Sequence, residues 1–429
     1  MAHSEEQALR VNGRVVRQGD QEAQPELATA HDDRVRPLCM CQRDGVAMYI
    51  ARIPDPDGGM RYVVKRMPDT GPLHAPQCAS YVPPPGISGF GQLLGTAISE
   101  GPDGRTALRL GFPMDMLDWA APTPTAMVDP SGSVQADPSR LTLRAVLHYL
   151  WHEAGLASWT PAMAGKRNWR VVSWHLRQAA QGMYLRSRPL TDRLFVPEPF
   201  QAERKAEITA RRLAAWAPAQ TSGAHGRKLM MLVGEVKAIE AARYGRQLVI
   251  KHLPDAPFML DDRLHVRLTW RFAAELDLWQ SDPDGHLIAI STFAVGRGGL
   301  ATVEEISLVT VDRHWLPYET EADRMLVELA VEQRRRFTKS LRCNLTDGLP
   351  IASLTLTDTT VATAAFVLAE ATQVPEAEDA AAAAGLDAWI WALGSPIPRL
   401  PDRSRVTATP DGADRGAVVY RRRQLRASL

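Results

Sequence analysis

The sequence predicts an α+β protein built from several domains, and three observations carry that expectation. Three of the four cysteines fall between residues 39 and 78, beside a histidine and around short β-prone runs. Hydrophobic periodicity switches to the helical period near residue 141, and strand-like and helix-like runs alternate beyond residue 229. At 429 residues the chain is also longer than one hydrophobic core serves well.

Composition narrows the function classes. The formal charge is +1, so no global field steers the molecule toward nucleic acid or an anionic membrane, and any such role rests on local patches. The opening Met1-Ala2-His3-Ser4-Glu5-Glu6 lacks the basic-then-apolar pattern of a signal peptide, and no apolar run reaches the ~18 residues of a spanning helix. Four cysteines do not make a disulfide scaffold; clustered in a reducing compartment they read as metal ligands or reactive thiols. The expectation is a cytoplasmic protein with no membrane partner.

Residues 1–36 are polar and read as a flexible leader with a short strand at 11–16. Residues 37–120 read as a β domain. Runs at 48–53 and 62–67 flank Pro54-Asp55-Pro56-Asp57-Gly58-Gly59, which is hairpin turn chemistry. Cys39 and Cys41 enter that hairpin, and His74 and Cys78 leave it. A hairpin brings its ends together, so the four side chains are expected to converge on one zinc ion. Closed Cys3His sets are structural, whereas a catalytic zinc keeps an open position. Such a staple would supply folding energy to a small β unit. The plainer alternative makes the cysteines small packing residues and His74 a loop residue. A second hairpin is expected from 93–98 and 106–112 around Gly101-Pro102-Asp103-Gly104; these glycines form neither a dinucleotide fingerprint nor a phosphate loop. Residues 121–139 read as a linker.

Residues 140–218 have helical periodicity. Leu143, Val146, Leu147, Leu150 and Trp151 mark one helix ending near Gly155, and Trp169, Val172, Leu176 and Ala179 mark a second. Arg186-Ser187-Arg188-Pro189 and the apolar run 194–196 resemble a wing and strand, so this part is expected to be winged-helix-like. Lys166, Arg167, Arg170, Arg177, Arg186 and Arg188 are its candidate phosphate contacts with DNA. The alternative is a helical packing module with solvated arginines. A further helix over 201–218 and a linker over 219–228 complete this region.

Residues 229–394 read as an α/β domain. A helix opening near Thr320-Glu321-Ala322-Asp323, a three-strand meander, a helix and a last strand form the succession seen in PD-(D/E)xK nuclease cores, which this part resembles in degenerate form. That resemblance implies magnesium held by carboxylates, with Asp323, Asp358 and Glu319 the candidates. The third strand lacks the E-x-K motif, and Thr320 with Asp323 reads as a capping box. Gly234-Glu235-Val236-Lys237 imitates E-x-K in the wrong place and reads as an exposed pair; His314 and Trp315 read as closing a strand-to-helix turn. No nucleophile motif is present. Residues 395–429 form a Pro- and Arg-rich basic tail with Arg421, Arg422, Arg423 and Arg426.

Several of these words together resemble the bacterial family catalogued as domain of unknown function 1173. They are Leu38-Cys39-Met40-Cys41, Lys65-Arg66-Met67-Pro68, His74-x-Pro76-x-Cys78, Leu147-His148-Tyr149-Leu150-Trp151, Ser158-Trp159-Thr160-Pro161, Gly234-Glu235-Val236-Lys237 and Lys251-His252-Leu253-Pro254. The match runs from about residue 36 to 394; Asp69 and Asp323 depart from the family pattern. The resemblance implies an accessory protein of plasmids or integrative conjugative elements. The functional expectation is therefore a zinc-containing, non-catalytic protein that binds nucleic acid or a conjugation or element-maintenance partner. A divergent nuclease and a structural interaction protein are the alternatives.

Overall fold

The computed structural model describes residues 7–404 apart from 18, 55–58, 68–69, 92, 102–104, 117–138, 221–226, 244, 297 and 344–350. The hairpin turn at 55–58, most of both expected linkers and most of the basic tail therefore lie outside the described residues. The chain is mixed α+β, and among the described residues no helix is long and apolar enough to cross a membrane.

The N-terminal sheet has five strands: β1 (Ala8–Val11), β2 (Arg14–Arg17), β3 (Leu38–Cys39), β4 (Val46–Pro54) and β5 (Met60–Arg66), in the order β2-β1-β3-β4-β5. The expected hairpin is present, with β4 and β5 antiparallel from Met48↔Arg66 to Pro54↔Met60. The leader is not all irregular, because β1 and β2 join this sheet and helix α1 (Gln24–Asp32) packs on it through buried Leu27 and Ala30.

Next come a short helix α2 (Pro85–Ser88), strands β6 (Ile98–Glu100), β7 (Thr106–Leu108) and β8 (Asp115–Met116), and helix α3 (Leu143–Glu153). After α3 follow β9 (Ser158–Trp159), α4 (Trp169–Ala180), β10 (Met183–Leu185), β11 (Arg188–Pro189), β12 (Leu194–Phe195) and α5 (Lys205–Trp216). Polar caps open both main helices: Thr142 accepts from the Ala145 amide, and Asn168 from that of Val171. The order helix, turn, helix, hairpin is formed. However, β10 also pairs in parallel with β7, so the β10–β11 hairpin is the edge of a four-stranded sheet, β11-β10-β7-β6.

Beyond these lie β13 (Arg227–Lys228), β14 (Met230–Ala241), β15 (Arg246–Ile250), β16 (Phe258–Leu260), α6 (Asp262–Arg271), α7 (Ala273–Ser281), β17 (His286–Val295), β18 (Ala301–Val311) and β19 (Pro317–Tyr318). Residues Phe258–Leu260, just ahead of the two helices, form the short strand β16. The long strand β14 pairs with β17 through its first half and with β15 through its second. Strand β16 joins β15 antiparallel and β18 parallel, and β18 returns to β17. The circuit β14-β15-β16-β18-β17-β14 is therefore closed. Five strands in the order first, second, third, fifth, fourth, with helices between third and fourth, have the connectivity of an oligonucleotide/oligosaccharide-binding (OB) barrel. Gly234 sits where β14 passes between neighbours, and a Cβ there would stand 2.8 Å from Ile250 Cγ2.

Helix α8 (Glu321–Glu332), strands β20 (Phe337–Lys339), β21 (Leu354–Leu356) and β22 (Thr363–Leu368), helix α9 (Val374–Ala383) and strand β23 (Asp387–Ala392) follow. The expected order of helix, three-strand meander, helix and strand is formed; the meander is antiparallel and β23 runs parallel to β22. Its other edge is completed by β9, which pairs with β20. The segments do not stack as independent beads: one buried cluster draws together Phe90, Leu108, Trp151, Val233, Ile290 and Cys343. It forms because the outer face of the barrel, carrying Met231, Val233, Ile288 and Ile290, packs under α3 and α4.

Candidate metal centre

The N-terminal sheet places the first two ligands. Cys39 ends β3 between Leu9 of β1 and Val46 of β4 and is fully buried; the turn that follows carries Cys41. The other two come from the segment after β5. Residues 71–73 form one 3-10 turn capped by His74, and a Cβ on Gly71 would lie 2.7 Å from Val82 Cβ, so only glycine lets the segment fold back. A further turn, Cys78 amide to Ala75 carbonyl at 2.8 Å, presents Cys78.

The four donor atoms lie within 4.8 Å of one another. Cys39 and Cys78 sulfurs are 3.6 Å apart, and His74 Nδ1 is 3.3 Å from Cys41 Sγ and 3.7 Å from Cys78 Sγ. Tetrahedral zinc with ordinary bond lengths sets edges of about 3.8 Å between sulfurs and about 3.6 Å between sulfur and nitrogen. The set fits that ion in geometry and in soft-donor chemistry, with no protein position left open. Amides of Ala75 and Ser80 donate to Cys41 and Cys78 at 3.5 and 3.4 Å, and Gln7 Nε2 donates to Cys39 Sγ at 2.9 Å. Donors aimed at sulfur stabilise thiolate. The hydrogen bond from Cys78 lowers the Cys39 thiol below its ordinary range, while the same bond and burial push Cys78 up, which favours keeping the proton on Cys78. Metal uptake would displace it.

Among the described residues this is the one group of three or more such side chains that could hold a metal. Asp323, Asp358 and Glu319 form no such group. Thr320 caps α8 by accepting from the Asp323 amide, and Asp323 Oδ2 accepts from the Glu319 amide and faces Lys339 Nζ at 3.2 Å. Glu319 faces Arg342 at 3.5 Å. Asp358 is gripped by Arg335. Each carboxylate has its own resident cation.

The basic residues also divide. Lys166, Arg170, Arg186 and Arg188 are exposed. Arg167 donates to the carbonyls of Leu156, Ser158 and His314 and lies over the Trp159 ring at 5.6 Å. Arg177 donates to the Val196 carbonyl at 3.2 Å. These two are structural cross-links.

One centre was not expected. Glu235 is buried in the regular part of β14, whereas Lys237, at the bulge between Val236 and Ala238, is exposed. Its carboxylate takes Lys251 Nζ at 2.7 Å and His286 Nδ1 at 2.8 Å, with His252 Nε2 at 3.7 Å. Burial alone would raise its pKa, yet hydrogen bonds from His252, His286 and Lys251 hold it well below the usual carboxylate range. His286 stacks on Trp315 at 4.2 Å and His252 on Trp169 at 5.5 Å, which ties the barrel to α4. The signal was in the sequence as separate words: Gly234–Lys237, Lys251–Pro254 and His314-Trp315 meet here.

Fold and site thus define an α+β protein with an OB-like barrel and an N-terminal Cys3His centre. Residues 9–394 match the family described as "Protein of unknown function (DUF1173)", and the chain belongs to it. Neither the curated proteins nor the solved structures contain a match.

Proposed function

We propose that this protein is a zinc-stapled, non-catalytic nucleic-acid-binding protein. The zinc part is supported by the Cys39, Cys41, His74 and Cys78 cluster, a complete structural ligand set. The observation that carries the nucleic-acid part is the closed barrel of β14 to β18, whose connectivity is shared by domains that bind single strands. A role in plasmids or integrative conjugative elements is proposed on the family resemblance alone. The nuclease alternative with magnesium at Asp323, Asp358 and Glu319 draws no support from geometry, since each acid faces a resident cation.

The test pairs two measurements on protein purified without a histidine tag. Metal analysis should find about one zinc per chain, lost together with thermal stability in Cys39→Ser and His74→Ala. Fluorescence anisotropy with labelled oligonucleotides should give affinity that falls linearly in log–log plots against salt. Metal-free wild type with unchanged melting in both variants would remove the zinc part. Absence of oligonucleotide binding at low salt would remove the other.

A further inference from the structure

Helix α6 shows an apolar and basic flank that is exposed among the described residues. Leu264 and Leu268 face the barrel and are buried, whereas Val266 is 64% and Trp270 67% exposed. Val266 and Trp270 are four residues apart and so neighbours on the helix surface, and Arg263 and Arg267, also four apart, border them. Both arginines are exposed, as is Arg271 at the helix end. The strip continues onto the barrel: exposed Arg246, which opens β15, pairs with Leu260, the residue before the Asp261 cap of α6. Glu305 on β18 lies near Arg267 and Arg271 and offsets part of the charge. Asp261 and Asp262 precede Arg263 on the helix, and among the described residues neither Arg246 nor Arg263 is in an ion pair.

We infer that this flank, Arg246, Arg263, Val266, Arg267 and Trp270, is a binding surface for single-stranded nucleic acid. The inference rests on the nucleic-acid reading above and gives it an address. Arginines spaced along a helix match a phosphate chain. An indole left two-thirds exposed among them offers a plane on which an unstacked base can lie, and base–aromatic stacking is sequence-tolerant. A duplex keeps its bases stacked and could use only the arginines. The occupant is therefore a single strand.

The experiment titrates full-length zinc-loaded protein into fluorescein-labelled dT 20-mer, a duplex of equal length, and polyglutamate. The variants are Trp270→Ala, Arg263→Ala/Arg267→Ala, and Arg14→Ala/Lys205→Ala as a control at exposed basic residues of β2 and α5 outside the proposed flank. Trp270→Ala should weaken dT binding roughly 5- to 100-fold with unchanged melting, because the ring is solvent-exposed. The double arginine variant should lower the log–log salt slope by about 0.7 per lost phosphate contact. The control should bind as wild type does. If wild type binds dT and both α6 variants bind equally well, the address is wrong while nucleic-acid binding stands. If wild type binds neither oligonucleotide, the underlying reading fails instead. Polyglutamate binding as tight as dT, lost in Trp270→Ala, would make the occupant an acidic protein segment and overturn the assignment.

Discussion

Arg335 and Asp358 form a fork-to-fork pair at the end of the C-terminal sheet, with Nη2 2.7 Å from Oδ1 and Nε 3.0 Å from Oδ2. Arg335 is 2% exposed and its remaining nitrogen donates to the Pro401 carbonyl at 2.8 Å. Asp358 also accepts from the Arg336 amide. The acid expected to hold magnesium thus ties the turn after β21 to the end of α8 and to the segment beyond β23.

Removing one partner should therefore cost stability. Asp358→Ala leaves a buried guanidinium without its counter-charge, a loss of about 3–5 kcal/mol in urea unfolding. Replacing both residues with apolar side chains should recover much of that. Unchanged unfolding of Asp358→Ala would show that the pair does not hold the sheet end.

Gln7 contacts the Cys3His cluster without belonging to it. It donates to Cys39 Sγ at 2.9 Å and to Ser80 Oγ at 2.9 Å. Gln7→Ala should keep one zinc per chain yet weaken its retention roughly 10- to 100-fold against a competing chelator, the usual scale for groups that orient ligands. Equal retention would make Gln7 a packing residue only.

Asp312 gives a pH signature. Its Oδ1 accepts from the amides of His314 and Leu316 at 2.8 Å each, its Oδ2 has no partner, and burial pushes its pKa up to about 6. The folded protein then holds this proton more tightly than the unfolded chain does. Wild-type stability from this group is full below the unfolded value of 3.8 and is lost as pH rises through about 6. Asp312→Asn keeps an oxygen for both amides and does not titrate. Its stability relative to wild type should climb by about 3 kcal/mol between acidic and neutral pH. A difference that stays flat with pH would overturn this account.

Much of the local structure was legible because local chemistry decides it. The β4–β5 hairpin followed from its turn residues, the meeting of Cys39, Cys41, His74 and Cys78 from the hairpin's geometry, and the start of α8 from Thr320. What escaped was long-range. The barrel closes through β16, three residues long, whose parallel partner β18 begins some forty residues later. A run that short has no period to read, and its pairing is decided by the surface it completes. Arg167 looked like a phosphate contact because no pattern reveals that a side chain will span to the carbonyl of His314. Glu235 looked exposed because the Lys251, His252 and His286 that surround it lie 16 to 51 residues away in the chain.

The pairing of β9 with β20 also sets a clock on the ribosome. Trp159, 1% exposed in the finished protein, leaves the exit tunnel about 180 residues before the Phe337 it pairs with. At ~5–20 residues per second that is roughly ten to forty seconds, and Trp389 and Leu400 of the same core come later still. For that interval a large apolar ring and an open strand edge are presented to solvent. Slowing or truncating synthesis after residue 159 should thus recruit chaperones to the middle of the chain, far from the end where the sheet is finally sealed.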